Sequence, residues 1–238
     1  MKDKSVLLSI IVVYNDIVKL NTLLHSSLSK QEYSNYELVL VDNRNGQYNS
    51  ASKAYNAGAD KAVGDYFLYL LNAGVYDLLG FAGADSDSEG KVKYINGMLP
   101  FQNNNYIRIF DHSSCFTCDE CGFILKKNLF NLYRLSDLGE TWHLYAVDLC
   151  LRLKIDKLKI GVIRVDVIHH SNGDRNKSFF KTFRQLVVKY NSFFSHLYTT
   201  CYDTTTVITV ATIKLLLRQF TPIFIKKIRR KILNLVRN

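Results

Sequence analysis

The chain has 238 residues, 47% of them hydrophobic and 22% charged, with a formal net charge of +10; this composition excludes a disordered or collagenous chain and allows a full buried core. The charge is uneven: eight of the 31 basic residues and none of the 21 acidic ones lie between Lys214 and Asn238, leaving 23 basic against 21 acidic side chains in residues 1–213. That speaks against a nucleic-acid-binding body, whose positive patch would have to lie on the folded domain.

The first apolar run, Leu7 to Val13, stops abruptly at Tyr14-Asn15-Asp16. Lys2 and Lys4 precede it, but no small-residue cleavage pattern follows, so the run reads as a buried first strand rather than a signal peptide. A helical pattern comes next, then a second run, Glu37 to Val41, ending at Asp42-Asn43. A stretch rich in Ala, Asn and Gly (Ala51 to Ala62) reads as a second helix, and a third run, Tyr66 to Leu71, ends at Asn72. Short β-branched runs alternating with helices predict a parallel sheet covered on both faces. In such sheets ligands sit beyond the carboxyl ends of the strands. All three strand ends carry groups suited to a nucleotide: Tyr14-Asn15, Asp42-Asn43 and Asn72.

Beyond Asn72 the pattern changes. Asp85 to Gly90 reads as a turn, and Lys91 to Ile95 as a strand. The acidic spacing of that turn lacks the closing glutamate of a calcium loop. Strands predicted at 106–110 and 121–125 flank Cys115, Cys118 and Cys121. A fourth ligand of matching spacing is missing and the five cysteines are odd in number, so buried reduced thiols, as in a cytoplasmic protein, explain this cluster better than a metal centre or disulfides. Lys127 to Tyr133 is a short helix, and Tyr145 to Lys154 is amphipathic, with Ala146, Leu149, Cys150 and Leu153 on one face. A strand at 159–167, an aromatic-rich helix at 177–200 and one or two helices at 206–236 complete the reading.

The last segment has its own character. Ile225, Ile228, Ile232, Leu235 and Val236 share one helical face, while Lys226, Lys227, Arg229, Arg230, Lys231 and Arg237 crowd the rest. Such a helix is suited to the interface of an anionic membrane, although packing against another subunit or plain solvation would use the same pattern. Lys214, Arg218 and Pro222 break residues 207–225, which speaks against a membrane span. The chain therefore divides into an α/β domain, residues 1–200, and a basic amphipathic tail, residues 201–238.

Several of these stretches resemble one family. Ser9 to Asn15, Glu37 to Asn43, Asn56-Ala57-Gly58 and Gly64 to Asn72 look like the opening of the family-2 glycosyltransferases of GT-A fold. Asp119 to Lys127, Trp142 to Arg152 and Ile168 to Gly173 resemble the acceptor half of the same family. The resemblance implies a GT-A-type nucleotide-binding fold: a mainly parallel central sheet flanked by helices, plus C-terminal helices. It also implies a transferase that moves a sugar from a nucleotide-sugar donor to a glycan or lipid-linked acceptor in cell-surface polysaccharide synthesis, peripheral on the inner face of the cell membrane. A non-catalytic nucleotide-sugar or glycan-binding relative is the alternative.

Site residues follow from strand position and resemblance together. Tyr14, Asn15, Asp42, Asn43, Asn56 and Asn72 are expected to contact the nucleotide, Asp42 through its base or ribose; a helix N-cap is the other use for Asp42. The family holds Mg²⁺ or Mn²⁺ through an Asp-x-Asp or Asn-x-Asp motif, and the aligned residues here are Asn72-Ala73-Gly74, with no carboxylate. Either Asp77 replaces the missing ligand, or His169, His170 and Arg175 stabilise the departing diphosphate without metal. The family's Glu-Asp pair, whose aspartate deprotonates the acceptor, aligns with Tyr145-Ala146. Asp148 or His143 is then the expected base, with Asp119 a further candidate; Asp148 fits equally well as an acid favoured by the helix dipole.

Overall fold

A computed structural model describes residues 7–27, 34–67, 76–86, 92–98, 106–109, 111–165 and 176–200. The chain begins with β1 (Leu8–Tyr14), α1 (Ile17–Ser27), β2 (Tyr36–Asp42), α2 (Ala51–Lys61) and β3 (Tyr66–Phe67), in the order the periodicity predicts. β1 and β2 pair in parallel over their whole length, from Leu8 opposite Tyr36 to Tyr14 opposite Asp42. Asp16 starts α1 by accepting the amides of Val18 and Lys19 at 2.9 and 3.1 Å, and Ser50 caps α2 through Lys53 N–H. Glu37 gathers the Ser9 hydroxyl and the amides of Val63 and Gly64, which fixes the entry to β3 beside β1.

The chain then gives β4 (Leu78–Gly80), β5 (Ala82–Ser86), β6 (Val92–Asn96), β7 (Tyr106–Arg108), β8 (His112–Ser114), β9 (Thr117–Cys118) and β10 (Phe123–Lys126). α3 (Lys127–Leu132), α4 (Tyr145–Ile155), β11 (Ile160–Ile163) and α5 (Lys177–Tyr190) follow. The central sheet has the order β2-β1-β3-β10-β4-β11-β8, and a second sheet has the order β7-β6-β5-β9. The expectation of a mainly parallel sheet needs correction. β10 runs antiparallel to both β3 and β4, and β8 antiparallel to β11, so the sheet is mixed. The inserted β10 returns the chain to the amino edge of the sheet, which is why α3 starts there.

Packing explains the small residues of α2. Ala54 is fully buried, and a Cβ on Gly58 would lie 2.5 Å from Ile11 Cγ2 and 2.9 Å from Val41 Cγ2. The glycine lets α2 lie close on β1 and β2, so Asn56-Ala57-Gly58 is a packing motif here. Gly58→Ala is expected to destabilise the fold by about 1–3 kcal/mol through overpacking, read as a lower urea midpoint with an unchanged slope.

Two predicted elements change extent. The aromatic helix ends at Tyr190, ten residues before the predicted Thr200, because Phe193 and Phe194 both turn back to the Tyr190 carbonyl. Residues 191–200 then pack as irregular chain, with the Thr117 hydroxyl donating to the Tyr198 carbonyl at 2.7 Å. Of the cysteine cluster, Cys118 lies in strand β9, while Cys115 precedes that strand and Cys121 sits in the turn before β10. Cys115, Cys118 and Cys150 are buried free thiols, with Cys115 Sγ 3.6 Å from Cys118 Sγ and Cys150 Sγ accepting the Cys118 amide. The predicted helices at 206–236 lie outside the described residues.

Candidate functional site

Because β1 and β2 run parallel and in register, their last residues emerge side by side at the carboxyl edge of the sheet. Tyr14 and Asp42 therefore stand together at the rim. Asp42 is clasped by Arg44, whose Nε reaches both carboxylate oxygens at 3.0 Å and whose Nη2 reaches Oδ2 at 2.6 Å. Arg44 also lies over the Tyr14 ring, 5.8 Å from its centre. The Arg44 guanidinium and amide hold the Asp42 carboxyl well below the ordinary carboxylate range. Burial, then the adjacent Asp42 carboxylate, pushes the Tyr14 phenol upward. The result is an aromatic face, an acceptor and a planar cation gathered at the ends of two adjacent strands. About half of the Arg44 side chain and 40% of the Asp42 side chain remain exposed, so the group is assembled yet open. The exposed Asn15 shares this rim.

The neighbouring asparagines have other work. Asn43 accepts the Tyr48 amide at 2.8 Å and donates to the Tyr48 carbonyl at 3.1 Å, shaping the loop after β2 with both ends of its amide. Asn56 does the same for Leu135, at 2.9 and 3.2 Å, and pins the chain between α3 and α4. Both side chains thus clamp loops, each with one N–H and one oxygen lone pair of its amide. Arg44 was missed; the signal was available as a basic residue two positions after a strand-end acid. Asn72, His169, His170 and Arg175 lie outside the described residues.

Asp77 also moves away from the site. It stands just before β4, which runs parallel to β11 and antiparallel to β10, and so lies at the amino edge of the sheet, opposite Asp42. Its Oδ2 accepts the Lys159 amide at 2.8 Å. A diphosphate held at the carboxyl rim is out of its reach, so Asp77 does not replace the missing metal ligand. Among the described residues no group of three His, Cys, Asp or Glu side chains is arranged to hold a metal ion.

The three candidate bases divide sharply. Asp148 has no solvent exposure, and its oxygens take Arg152 Nε at 3.0 Å, Lys189 Nζ at 2.8 Å and the Tyr190 hydroxyl at 2.7 Å. A base must present an open lone pair to its substrate, so Asp148 is corrected from base to anchor between α4 and α5. Asp119 accepts the Cys121 amide at 2.9 Å and the Thr200 hydroxyl; it is partly exposed in the turn before β10. His143 is half-buried beside the start of α4, its ring edge-on to Phe179 at 5.7 Å. Since α4 leads back to β11 at the amino edge, its N-terminus and the turn before β10 both belong to the carboxyl rim. Asp119, His143 and the Tyr14–Asp42–Arg44 group thus share one edge of the sheet.

No family profile matches the sequence, and no curated protein matches it either. The fold does match a solved one: GalNAc-T7, crystallised with UDP, GalNAc and Mn²⁺, superposes with a TM-score of 0.54 over 89% of this chain. The fold is GT-A-like. At 13% identity the likeness concerns the fold alone, and the match covers 54% of that neighbour, so the present chain spans about half its length. Within a GT-A-like frame, the carboxyl rim is where the open polar cluster and the two remaining base candidates converge.

Proposed function

We propose that this chain is a glycosyltransferase, moving a sugar from a nucleotide-sugar donor to a glycan or lipid-linked acceptor in cell-surface polysaccharide synthesis. The observation that carries the reading is the exposed Tyr14–Asp42–Arg44 cluster at the carboxyl ends of adjacent parallel strands. The Tyr14 ring offers a stacking face for a base, Asp42 an acceptor for base or ribose hydrogens, and Arg44 a cation for the donor's negative charge. His143 or Asp119 would take the proton from the acceptor hydroxyl as its oxygen attacks the anomeric carbon. The bond from that carbon to the diphosphate breaks, and His169, His170 and Arg175 would stabilise the leaving charge. A thermal-shift screen of nucleoside diphosphates and their sugars tests the reading; no shift with any of them would overturn it.

Metal is the first discriminating variable. With Asn72-Ala73-Gly74 in the family's acidic position and Asp77 at the opposite edge, nucleotide affinity by calorimetry is expected to change less than about threefold between excess chelator and millimolar Mn²⁺. Binding that vanishes with chelator and returns with Mn²⁺ would place a carboxylate at the diphosphate after all.

The tail supplies the membrane part of the proposal. Deleting residues 221–238 removes six basic side chains and most of the apolar stripe. Sedimentation with anionic vesicles should then fall steeply, by about 1 kcal/mol per lost charge, and high salt should mimic part of the loss. Unchanged sedimentation of the truncated chain would refute the membrane role.

One observation favours a second reading. Asp148, the carboxylate nearest the family's base position in sequence, is consumed in ion pairs. A relative that binds a nucleotide sugar without transferring it would tolerate that arrangement. Donor binding with no transfer to any acceptor from a membrane extract would favour it.

A further inference from the structure

A cavity of about 110 Å³ lies beneath the carboxyl rim, between the central sheet and helices α2, α3 and α4. Phe123, Phe130 and Leu135 give it carbon walls, and Tyr55, Tyr145 and Glu120 its polar groups. Among the described residues no basic side chain lines it. The Tyr145 hydroxyl donates to the Glu120 carbonyl at 3.4 Å, and the Tyr55 and Tyr145 rings sit 5.6 Å apart with their hydroxyls in mutual contact. Glu120 itself is anomalous. Its Oε1 is sealed from water and has no hydrogen-bond partner, a costly state for a polar atom. Burial, and then the neighbouring Asp119, pushes its carboxyl well above the ordinary range, outweighing the amides of Leu144 and Ala146. Both influences favour its uncharged form, which carries a proton it can donate.

These features define an occupant. An apolar cavity of roughly 150 Å³ accommodates benzene, so this smaller one holds about four or five heavy atoms. A cation would find a carboxyl whose burial disfavours charge, and an anion would find no positive partner among the described lining residues. A small uncharged group with a methyl for the carbon walls and a carbonyl for the acid fits both halves. A whole hexose ring is too large and would remain outside the cavity.

We propose that this cavity receives the acetamido group of an amino sugar, its carbonyl accepting a hydrogen bond from the Glu120 side chain whose Oε1 faces no other partner. That a sugar carries the group rests on the glycosyl-transfer reading; the match to a compact acyl group rests on the cavity. No bond is made or broken in this role. Glu120 would select N-acetylated over plain sugars by giving its orphaned oxygen a partner.

Saturation-transfer NMR of the full chain with free N-acetylglucosamine, and separately with glucose, tests this without any nucleotide. The acetyl methyl protons should receive the strongest saturation, and glucose almost none. Glu120→Gln, which keeps a donor, should retain at least a third of the wild-type affinity. Glu120→Leu, which has none, should weaken binding tenfold or more. Leu135→Phe should fill the cavity and remove the methyl signal. Equal binding of the two sugars by the wild type, or an unaltered affinity in Glu120→Leu, would overturn the proposal. Since the wild-type comparison needs no variant, a misfolded mutant cannot hide the answer. Acetyl binding without any nucleotide binding would sink the transferase reading and leave the pocket standing; nucleotide binding without acetyl contact would do the reverse.

Discussion

Asp148→Ala is expected to be the most destabilising change in the domain short of a core deletion, at about 3–5 kcal/mol. The carboxylate is fully buried and gathers Arg152, Lys189 and Tyr190 from two helices. Removing it takes from the Tyr190 hydroxyl and from the Arg152 guanidinium, 22% exposed as a side chain, the carboxylate that both reach, while Arg152 keeps the Arg134 carbonyl. Lys189 is 45% exposed and can turn to water, which places the effect toward the lower end of that range. Burial alone would raise the Asp148 pKa, but hydrogen bonds from Lys189, Ser136 and Tyr190 outweigh it and hold the carboxyl below its ordinary value of 3.8. The folded pKa is thus the lower one, so this contribution is complete above about pH 4 and lost as the pH falls through the folded value. Urea unfolding across that range should show a shallower acid loss in Asp148→Asn than in the wild type. Wild-type stability in Asp148→Ala would remove the anchor role.

Asp42→Ala is expected to weaken binding of a nucleoside diphosphate by about 1.5–3 kcal/mol, a loss of roughly 10- to 150-fold, the range of a charge-assisted hydrogen bond. The fold should survive, because Asp42 and Arg44 form a surface pair and exposed pairs contribute little to stability. Asp42→Asn separates two roles. It keeps an acceptor for the ligand but loosens the clasp on Arg44, so an intermediate affinity is expected. Arg44→Ala should reduce affinity further at low salt than at high salt, since an exposed cation acts through a screened field. Undiminished affinity in Asp42→Ala by calorimetry would remove the rim cluster from the site and take the central support of the proposed function with it.

Local sequence determined a good deal about this protein. Leu8 to Tyr14 and Tyr36 to Asp42 are β-branched runs that end in polar groups, and the structure pairs them in register. α3, α4 and β6 fall within two residues of where the periodicity puts them, at Lys127–Leu132, Tyr145–Ile155 and Val92–Asn96. These are short-range matters, in which each residue's own preference and the spacing of its apolar neighbours suffice. The placement of Tyr14 beside Asp42 was legible for the same reason: parallel strands with polar ends must present those ends together.

What the sequence left open was which partner each polar side chain would find. Asn43 and Asn56 look like ligand groups until Tyr48 and Leu135 occupy their amides. Asp148 looks like a base until α5, 41 residues further along, brings Lys189 to it. Asp77 follows the third strand as a metal ligand should, but the antiparallel insertion of β10 and the return through β4 put it at the wrong edge of the sheet. Glu120 lies within the Asp119 to Lys127 stretch, but nothing there distinguishes it; only the meeting of its turn with the start of α4 seals its oxygen and builds a cavity beside it. Strand and helix formation depend on neighbours along the chain, whereas burial and hydrogen-bond partners depend on contacts between residues distant in sequence. The chemistry of an ionisable group is fixed by those contacts, and so it was decided by the tertiary structure.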